Sequence, residues 1–276
     1  MGMRVTTNMS AINAQRNLVN SQRMVEKSSA QLASGSRINR SADDAAGLAI
    51  SETMKSQIRS SVQARRNAND GVSLVQTAEG GLSETTNIIT RIRELAIQSA
   101  SDTVGVKERD MIDKEAQQLK AELQRIAQTT AWNSTKLLDG STPLFDFQIG
   151  LNATEDDKIE FDSSSNVATL DALALTDVDL MSKETSKAAL VALDDAQTQI
   201  NGMRANLGAL QNRLLSTSDT LAVTEENLAA ANSRIRDTDV AQSTSEMARN
   251  QVLLQAGTAT LAQANQNGQL ALKLIG

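Results

Sequence analysis

The sequence of 276 residues contains no cysteine, no histidine and no tyrosine, and it has a single proline. Without cysteine or histidine it has neither a disulfide nor the usual ligands of a zinc site. It also lacks the imidazole group, which is the commonest general base near neutral pH. Only carboxylates such as Asp43-Asp44 remain for acid–base chemistry, and adjacent acids are usually a helix cap or a solvated turn. We therefore expect no catalytic residue, no metal, no cofactor and no enzymatic activity.

Large aromatic side chains are almost as scarce, since the sequence has one tryptophan and three phenylalanines. So few rings make an ordinary globular core difficult to fill. Long helices that pack leucine, isoleucine, valine, methionine and alanine suit this composition better.

No run approaches the ~20 apolar residues of a membrane span. The first residues also lack the pattern of a cleaved secretion signal. We expect neither membrane insertion nor classical secretion.

Charge is distributed unevenly along the chain. Residues 1–40 carry six basic residues and one acidic residue, and residues 240–276 carry two basic residues and one acidic residue. Because the total is −6, the middle of the chain carries −12. No aromatic residue lies beside the terminal bases, as it would in a surface that stacks on nucleobases. We therefore expect no nucleic-acid partner and a solvated acidic middle.

Apolar residues seven apart predict two long helices. The stronger seam occupies the second half of the chain without a polar interruption, at Leu193, Ile200, Leu207, Leu214, Leu221, Leu228 and Ile235. A weaker seam occupies the first half, at Met54, Ser61, Ala68, Val75, Leu82, Ile89 and Ala96. This heptad spacing is typical of helices that bury one narrow stripe against other helices. Gly80-Gly81 lies within the weaker pattern, where we expect a bend or a close backbone contact.

Three further helices follow from similar spacing. Residues 104–129 present Ile112, Ala116, Leu119, Leu123 and Ile126 on one face, with Asp102 or Thr103 as the expected N-cap. The two ends carry weaker stripes, at Ala11, Leu18, Val25 and Leu32, and at Val240, Met247, Leu254, Leu261 and Ile275. A lone helix with so little apolar surface is marginal in water. We expect both ends to fold only when partners bury them.

The exception to helical periodicity is the span from about 132 to 176. Every aromatic residue and Pro143 lie within its first thirty residues. Phe145, Phe147 and Ile149 alternate with polar residues, which indicates a short strand, and so do Ile159 and Phe161. The predicted fold is therefore mainly α, a long antiparallel helical rod resembling a coiled-coil bundle, with a small β-hairpin patch near the chain centre.

Several motifs are similar to those of one known family. They are QLASGSRIN at 31–39, DDAAG at 43–47, RNANDG at 66–71, RIRELAIQ at 91–98, SRIRDTD at 233–239 and QAGT at 255–258. In this order and at this spacing they resemble the two terminal regions of bacterial flagellins. The resemblance covers about 1–140 and 185–276. It implies a structural subunit that polymerises into the flagellar filament used for swimming.

The resemblance also implies a layered subunit. Residues 1–40 and 240–276 would form an inner coiled-coil domain, and residues 41–239 a helical rod domain with the β patch at about 132–176. Only about forty-five residues separate the matched halves, so the large outer variable domains look absent. The implied route is unfolded type III export to an extracellular filament, whether external, sheathed or periplasmic. The implied partners are further copies of the chain, an export chaperone on about 240–276, the filament cap protein and the hook–filament junction protein.

Particular residues take expected roles from this resemblance. Subunit packing is assigned to Leu18, Val25, Leu32, Met247, Leu254, Leu261, Leu207 and Leu214. Arg91, Leu95 and Glu115 match the family's surface for the Toll-like flagellin receptor, although Thr90 stands where receptor-active members commonly have glutamine. The alternative is that Arg91 and Glu115 simply form an ion pair across two helices. Flagellins also carry O-glycans on central loops, which places Ser163, Ser164 and Ser165 as candidates, against the alternative of a polar turn.

Two other classes of protein share parts of this pattern. A hook–filament junction protein has similar termini and the same export route, but it does not account for the match at residues 91–98. A soluble signalling coiled coil would continue its heptads through the hairpin tip, where this chain has turn and strand signals instead.

Overall fold

The computed structural model describes residues 7–141 and 144–273, and the side-chain environments as far as residue 266. Five long helices account for most of this chain. They are α1 (Met9–Ser34), α2 (Ala45–Ser99), α3 (Val106–Thr129), α4 (Lys183–Arg236) and α5 (Val240–Lys273). Pro143 and Ile275 lie outside the described residues. The predicted mainly α fold is confirmed.

Local hydrogen bonds determine where the helices begin and end. Asn8 accepts the amide of Ala11 at 3.1 Å, and Asp44 accepts the amide of Gly47 at 2.8 Å, so each satisfies a free donor in a first turn. Helix α1 ends at Gly35, whose φ of 68° is the left-handed conformation that glycine adopts without a steric penalty. The Asp44 bond confirms that this acid is a helix cap.

The expected N-cap of α3 is wrong. The cap is Gly105, which makes no side-chain cap bond, and the helix begins at Val106. Asp102 is engaged elsewhere, because its carboxylate pairs with the Lys183 ammonium at 2.6 Å. This pair is distant in sequence, and it holds the pKa of Asp102 below its usual value.

The chain divides into two compact units. The terminal unit comprises Met1–Gln57 and Asn227–Gly276, and the central unit comprises Ile58–Glu226. The layer boundary expected at residues 40 and 240 remains a prediction about the filament.

Within the central unit, α2 and α4 run antiparallel along the two predicted seams. Arg65, Glu79 and Arg93 of α2 pair with Glu225, Arg204 and Asp194 of α4, so residue numbers fall along one helix as they rise along the other. The seam residues between these pairs are almost fully buried. The largest buried side chains from the two helices are Leu74, Leu82, Ile89, Ile92, Leu193, Ile200, Leu207 and Leu214.

The predicted β-hairpin is confirmed. Strands β3 (Leu144–Gln148) and β4 (Lys158–Asp162) pair antiparallel, with Phe145 opposite Phe161 and Phe147 opposite Ile159. The Phe147 ring lies over Gly71 of α2, where a Cβ atom would approach the ring to 3.3 Å. The glycine therefore lets the hairpin sit closely on α2.

A second, smaller hairpin precedes this one. Strands β1 (Ala131–Trp132) and β2 (Thr135–Lys136) are joined by Asn133 and Ser134, which have φ values of 46° and 66°. Two consecutive positive φ angles are the signature of a type I′ turn. Gly81 of α2 lies beneath this region, since a Cβ there would approach Leu138 and Thr130 to 2.8 Å. The close contact expected at Gly80-Gly81 thus occurs at Gly81.

The β patch is shorter than expected. Among the described residues the last strand ends at Asp162, whereas the prediction extended the patch to about 176. Residues 163–182 instead form turns that bury Leu173, Leu175 and Leu180. These leucines fill the core without strand pairing.

We predict that Leu214→Ala lowers the free energy of unfolding by about 3 kcal/mol, because it leaves a cavity at a fully buried seam position. Leu215→Ala is the matched control, since Leu215 is 41% exposed, and it should cost less than about 1 kcal/mol. Urea unfolding followed by circular dichroism measures both. Equal losses for the two variants would contradict the assignment of the seam.

Candidate functional site

The terminal unit is built on an antiparallel pair of helices. The side-chain amide of Asn8 in α1 donates to the carbonyl of Ala264 in α5 at 2.8 Å. Further along, Leu18 of α1 lies against Gly257 of α5, where a Cβ atom would stand 3.7 Å from the leucine side chain. These contacts fix the two terminal helices side by side.

The apolar stripes at the two ends lie partly within this helix pair. All six terminal residues expected to pack between subunits are half-buried in the single chain; these are Leu18, Val25, Leu32, Met247, Leu254 and Leu261. The few fully buried residues of the two helices are small, namely Ser28, Ser243 and Ala264. The pair is therefore held by a shallow interface, and a role of the six residues between subunits remains a prediction.

A second set of apolar residues on the same helices faces outward. On α1 these are Met9, Ile12, Val19 and Met24, with exposures of 54, 46, 39 and 52%. On α5 they are Val240, Val252 and Leu253, with exposures of 60, 63 and 47%. The heptad stripes include Val240 but not the others, because residues such as Ile12 and Val19 lie one position beside the stripe of Ala11 and Leu18. Other exposed apolar residues, such as Val191 and Val223, lie on the central unit, but the seven on this one helix pair indicate a surface that another protein covers.

Leu207 and Leu214 do not belong to such a surface. They are 1% and 0% exposed and lie in the core of the central unit. Their side chains pack within one chain, so the expectation that they pack between subunits is corrected. Their heptad spacing reflects packing between α2 and α4 within one chain.

A network of hydrogen bonds joins the C-terminal end of α1 to the C-terminal end of α4. The backbone amide of Arg37 donates to the Arg236 carbonyl at 2.6 Å, and the Arg37 guanidinium donates to the Ile235 carbonyl at 2.6 Å. The amide of Thr238 donates to the Gly35 carbonyl at 3.0 Å. A cation at a helix C-terminus satisfies free carbonyls and complements the helix dipole.

Asp43 organises the loop beside this network. Its carboxylate accepts the amides of Arg40 and Asn39 at 3.1 and 3.3 Å, and it lies 3.3 Å from the Lys27 ammonium. The hydrogen bond from Arg40, with those from Lys27 and Asn39, holds the pKa of Asp43 below its usual value. The acid is therefore a structural anchor for the turn between α1 and α2.

Arg91 and Glu115 form an ion pair across two helices of the central unit, as the alternative interpretation predicts, and their role in a receptor surface remains a prediction. The guanidinium of Arg91 lies 2.8 Å from the Glu115 carboxylate and 2.9 Å from that of Glu94. Glu115, and secondly Glu94, hold the pKa of Arg91 above its usual value. Leu95 differs, because its side chain is 2% exposed and belongs to the core. A partner touching this surface meets the arginine and the two glutamates, with Leu95 beneath.

The three candidate serines for O-glycosylation are not equivalent. Ser163 is fully buried and donates to the Leu137 carbonyl at 2.9 Å, so it is removed from the candidates. Ser164 and Ser165 are exposed and donate to the Asp162 carboxylate at 2.6 and 2.5 Å. These bonds lower the pKa of Asp162. Ser164 and Ser165 also lie in a polar turn, as the alternative interpretation predicts.

A buried lysine went unnoticed in the sequence. Lys120 of α3 is 5% exposed and donates to the carbonyls of Thr176 and Val178, both at 2.8 Å. Burial lowers its pKa, and nearby carboxylates such as that of Asp113 oppose the shift. The Asp113 carboxylate in turn accepts the amide of Leu180 at 2.8 Å. Polar residues of α3 thus hold the turns of residues 163–182 in place.

Across the ranges that the structure covers, no helix combines the length and the apolar character needed to span a bilayer. The same ranges contain no group of three or more acidic side chains placed to hold a metal ion.

Comparison with known proteins identifies the family. The model for the N-terminal helical region of bacterial flagellin matches residues 5–142, and the model for the C-terminal helical region matches residues 190–275. The chain belongs to the bacterial flagellin family.

Similar relatives match along their whole length. A flagellin of Halalkalibacterium halodurans is 43% identical over 273 residues, which is 99% of this chain and 100% of that protein. The flagellar filament 33 kDa core protein of Treponema phagedenis is 43% identical, with the same coverage. The crystal structure of Bacillus cereus flagellin has a TM-score of 0.51 at 30% identity and covers 60% of this chain and 94% of its own. These full-length matches make the chain a short flagellin without a large variable domain, and they favour a filament subunit over a junction protein.

We predict that Asp43→Asn lowers the thermal midpoint more at about pH 7 than at about pH 3. The pKa of Asp43 is lower in the folded chain, so its contribution is present above the ordinary value of 3.8 and is lost as the pH falls through the folded value. Calorimetry at both pH values measures the difference. Asp219→Asn, which alters an exposed acid on α4, is the control. A loss from Asp43→Asn that is as large at low pH as at about pH 7 would contradict the anchor role.

Proposed function

We propose that this chain is the structural subunit of a bacterial flagellar filament, assembling with copies of itself to build the propeller of a swimming cell. The observation that carries the proposal is the outward apolar surface of α1 and α5, which the chain itself leaves uncovered. A contact that does not close on itself repeats as an open helical polymer. The acidic middle gives neighbouring filaments a repulsive surface.

The terminal unit is suited to fold and assemble together. Its helix pair buries mainly small residues, so the pair alone gains little from the hydrophobic effect. Copies that cover Ile12, Val19, Val252 and Leu253 would add the missing burial. Neighbouring copies would thus complete the burial of the terminal unit when the subunit joins the filament.

We infer the remaining partners and the location from family membership. The subunit would leave the cell unfolded through the type III flagellar apparatus and reside in an extracellular filament. An export chaperone would hold about 240–276, because that segment carries exposed apolar residues. The filament cap and the hook–filament junction protein would contact the same terminal unit during assembly. Ser164 and Ser165 are the surviving candidates for an O-glycan.

We also infer that the surface of Arg91 and Glu115 is recognised by the Toll-like flagellin receptor. Both side chains are about half exposed, and their ion pair presents opposite charges to a partner. Leu95 would support the two helices from within. Because the pair is exposed, it contributes little to the stability of the subunit itself.

We predict that Val252→Ser raises the concentration needed for seeded filament growth about tenfold, since one exposed valine buried at an interface contributes about 1.5 kcal/mol. The monomer should keep its stability because Val252 is 63% exposed. Val223→Ser is the control, with similar exposure at 58% but a position on α4 of the central unit. Negative-stain electron microscopy and sedimentation of seeded samples measure the effect. Equal growth of Val252→Ser and the wild type would oppose the proposed surface.

For the receptor surface, Arg91→Ala should reduce reporter-cell signalling at least about tenfold, in line with the loss of a charged interface contact. Arg125→Ala is the matched control, because Arg125 also pairs with a glutamate on the surface of the central unit, Glu122 at 2.6 Å. Undiminished signalling by Arg91→Ala monomer would remove this assignment.

A further inference from the structure

Methionine is the main side chain through which an oxidant can change this protein. The sequence has no cysteine, histidine or tyrosine and a single tryptophan, but it has nine methionines. Oxidation of the methionine thioether gives the sulfoxide, which is polar where the original side chain was apolar and flexible. Such a change disrupts interfaces in which methionine is buried.

Four of the methionines that the structure describes are exposed, and they fall into two pairs. Met9 and Met24 lie on α1, with exposures of 54 and 52%. Met111 and Met181 lie on the central unit, with exposures of 69 and 56%. The other described methionines are half-buried, namely Met54, Met203 and Met247. An oxidant therefore reaches both exposed pairs in the unassembled subunit.

The two pairs differ in their surroundings. Met9 shares one face of α1 with Ile12 and Val19, because residues three or seven apart lie on the same side of a helix. Met24 is exposed farther along the same helix, and all four residues belong to the outward apolar surface of α1 and α5. The pair on α1 is thus part of the surface that further copies cover in the proposed filament, whereas the central pair is not.

We propose that Met9 and Met24 are modification sites at which a peroxide prevents the subunit from joining the filament. The proposal rests on the proposed function of the α1 and α5 surface. A lone pair of the thioether sulfur attacks one oxygen of hydrogen peroxide, and the S–O bond forms as the O–O bond breaks. The departing hydroxide takes the proton from the transferred oxygen, so the products are the sulfoxide and water. The sulfur is oxidised and the peroxide is reduced by the same electron pair.

The effect of the sulfoxide depends on whether the side chain must be buried. Within the free subunit both side chains stay in water, so oxidation leaves the fold unchanged. At the interface the new oxygen loses its water, and its burial without a hydrogen-bond donor is unfavourable. The same coverage protects the two methionines in subunits that have already assembled. Reduction by a methionine sulfoxide reductase restores the thioether and the ability to assemble.

The first test treats the soluble full-length subunit with hydrogen peroxide, removes the peroxide and follows seeded growth by electron microscopy and sedimentation. Peptide mass spectrometry reports the oxidation of each methionine. Oxidised wild type should require at least an about tenfold higher concentration for growth than the untreated protein. The double variant Met9→Leu/Met24→Leu keeps the apolar surface, since leucine has a similar volume, and it should grow equally well before and after treatment.

The matched control is Met111→Leu/Met181→Leu, which removes the exposed methionines of the central unit. It should lose growth on oxidation as the wild type does. Undiminished growth of the oxidised wild type would overturn the proposal. So would a loss of growth on oxidation of Met9→Leu/Met24→Leu as large as that of the wild type.

A second measurement distinguishes failure of this proposal from failure of the proposed function. Met9 and Met24 should be oxidised at least about tenfold more slowly in intact filaments than in the soluble subunit, because reactivity follows exposure. Equal rates in the two states would contradict the proposed interface, and this proposal with it. Protection in filaments together with normal growth of oxidised subunits would leave the interface intact and overturn only the oxidation sites.

Discussion

The apolar seam between α2 and α4 is the interaction on which the central unit depends. Val75, Leu82 and Ile89 of α2 and Leu193 and Ile200 of α4 are completely buried. The hairpin is seated on this seam, because the Phe147 ring and the Leu214 side chain both lie against Gly71 of α2. Helix α3 adds Ile112, Ala116 and Leu123 to the same core. A chain with so few aromatic residues thus obtains a continuous core from aliphatic stripes alone.

The terminal unit buries different kinds of side chain from the central unit. Its helices bury serine and alanine where the central unit buries leucine and isoleucine, and they leave valine, methionine and leucine outside. Its order depends on polar connections such as those of Arg37 and Asp43, together with the buried side chain of Ile38. We propose that the terminal unit gains its remaining apolar burial from neighbouring subunits, and that the central unit packs mainly within one chain.

Sequence reasoning predicted the features that depend on local periodicity. The heptads predicted the buried faces of α2 and α4, and the alternation of Phe145 and Phe147 predicted a strand. Sequence reasoning gave the wrong role where a side chain bonds to a residue that is distant in the sequence. Asp102 was expected to cap α3 but pairs with Lys183, and Ser163 looked like a surface residue but donates to Leu137. The roles of Lys120 and Leu95 likewise depend on which element packs above them, and helical spacing does not contain that information.

The most direct test of the account is a cryo-electron microscopy reconstruction of filaments grown from the purified full-length chain. The account predicts that Ile12, Val19, Val252 and Leu253 are buried against neighbouring subunits, while the seam of the central unit keeps its intramolecular packing. A filament in which these four side chains remain solvent-exposed, with its subunits joined only through other surfaces, would contradict it.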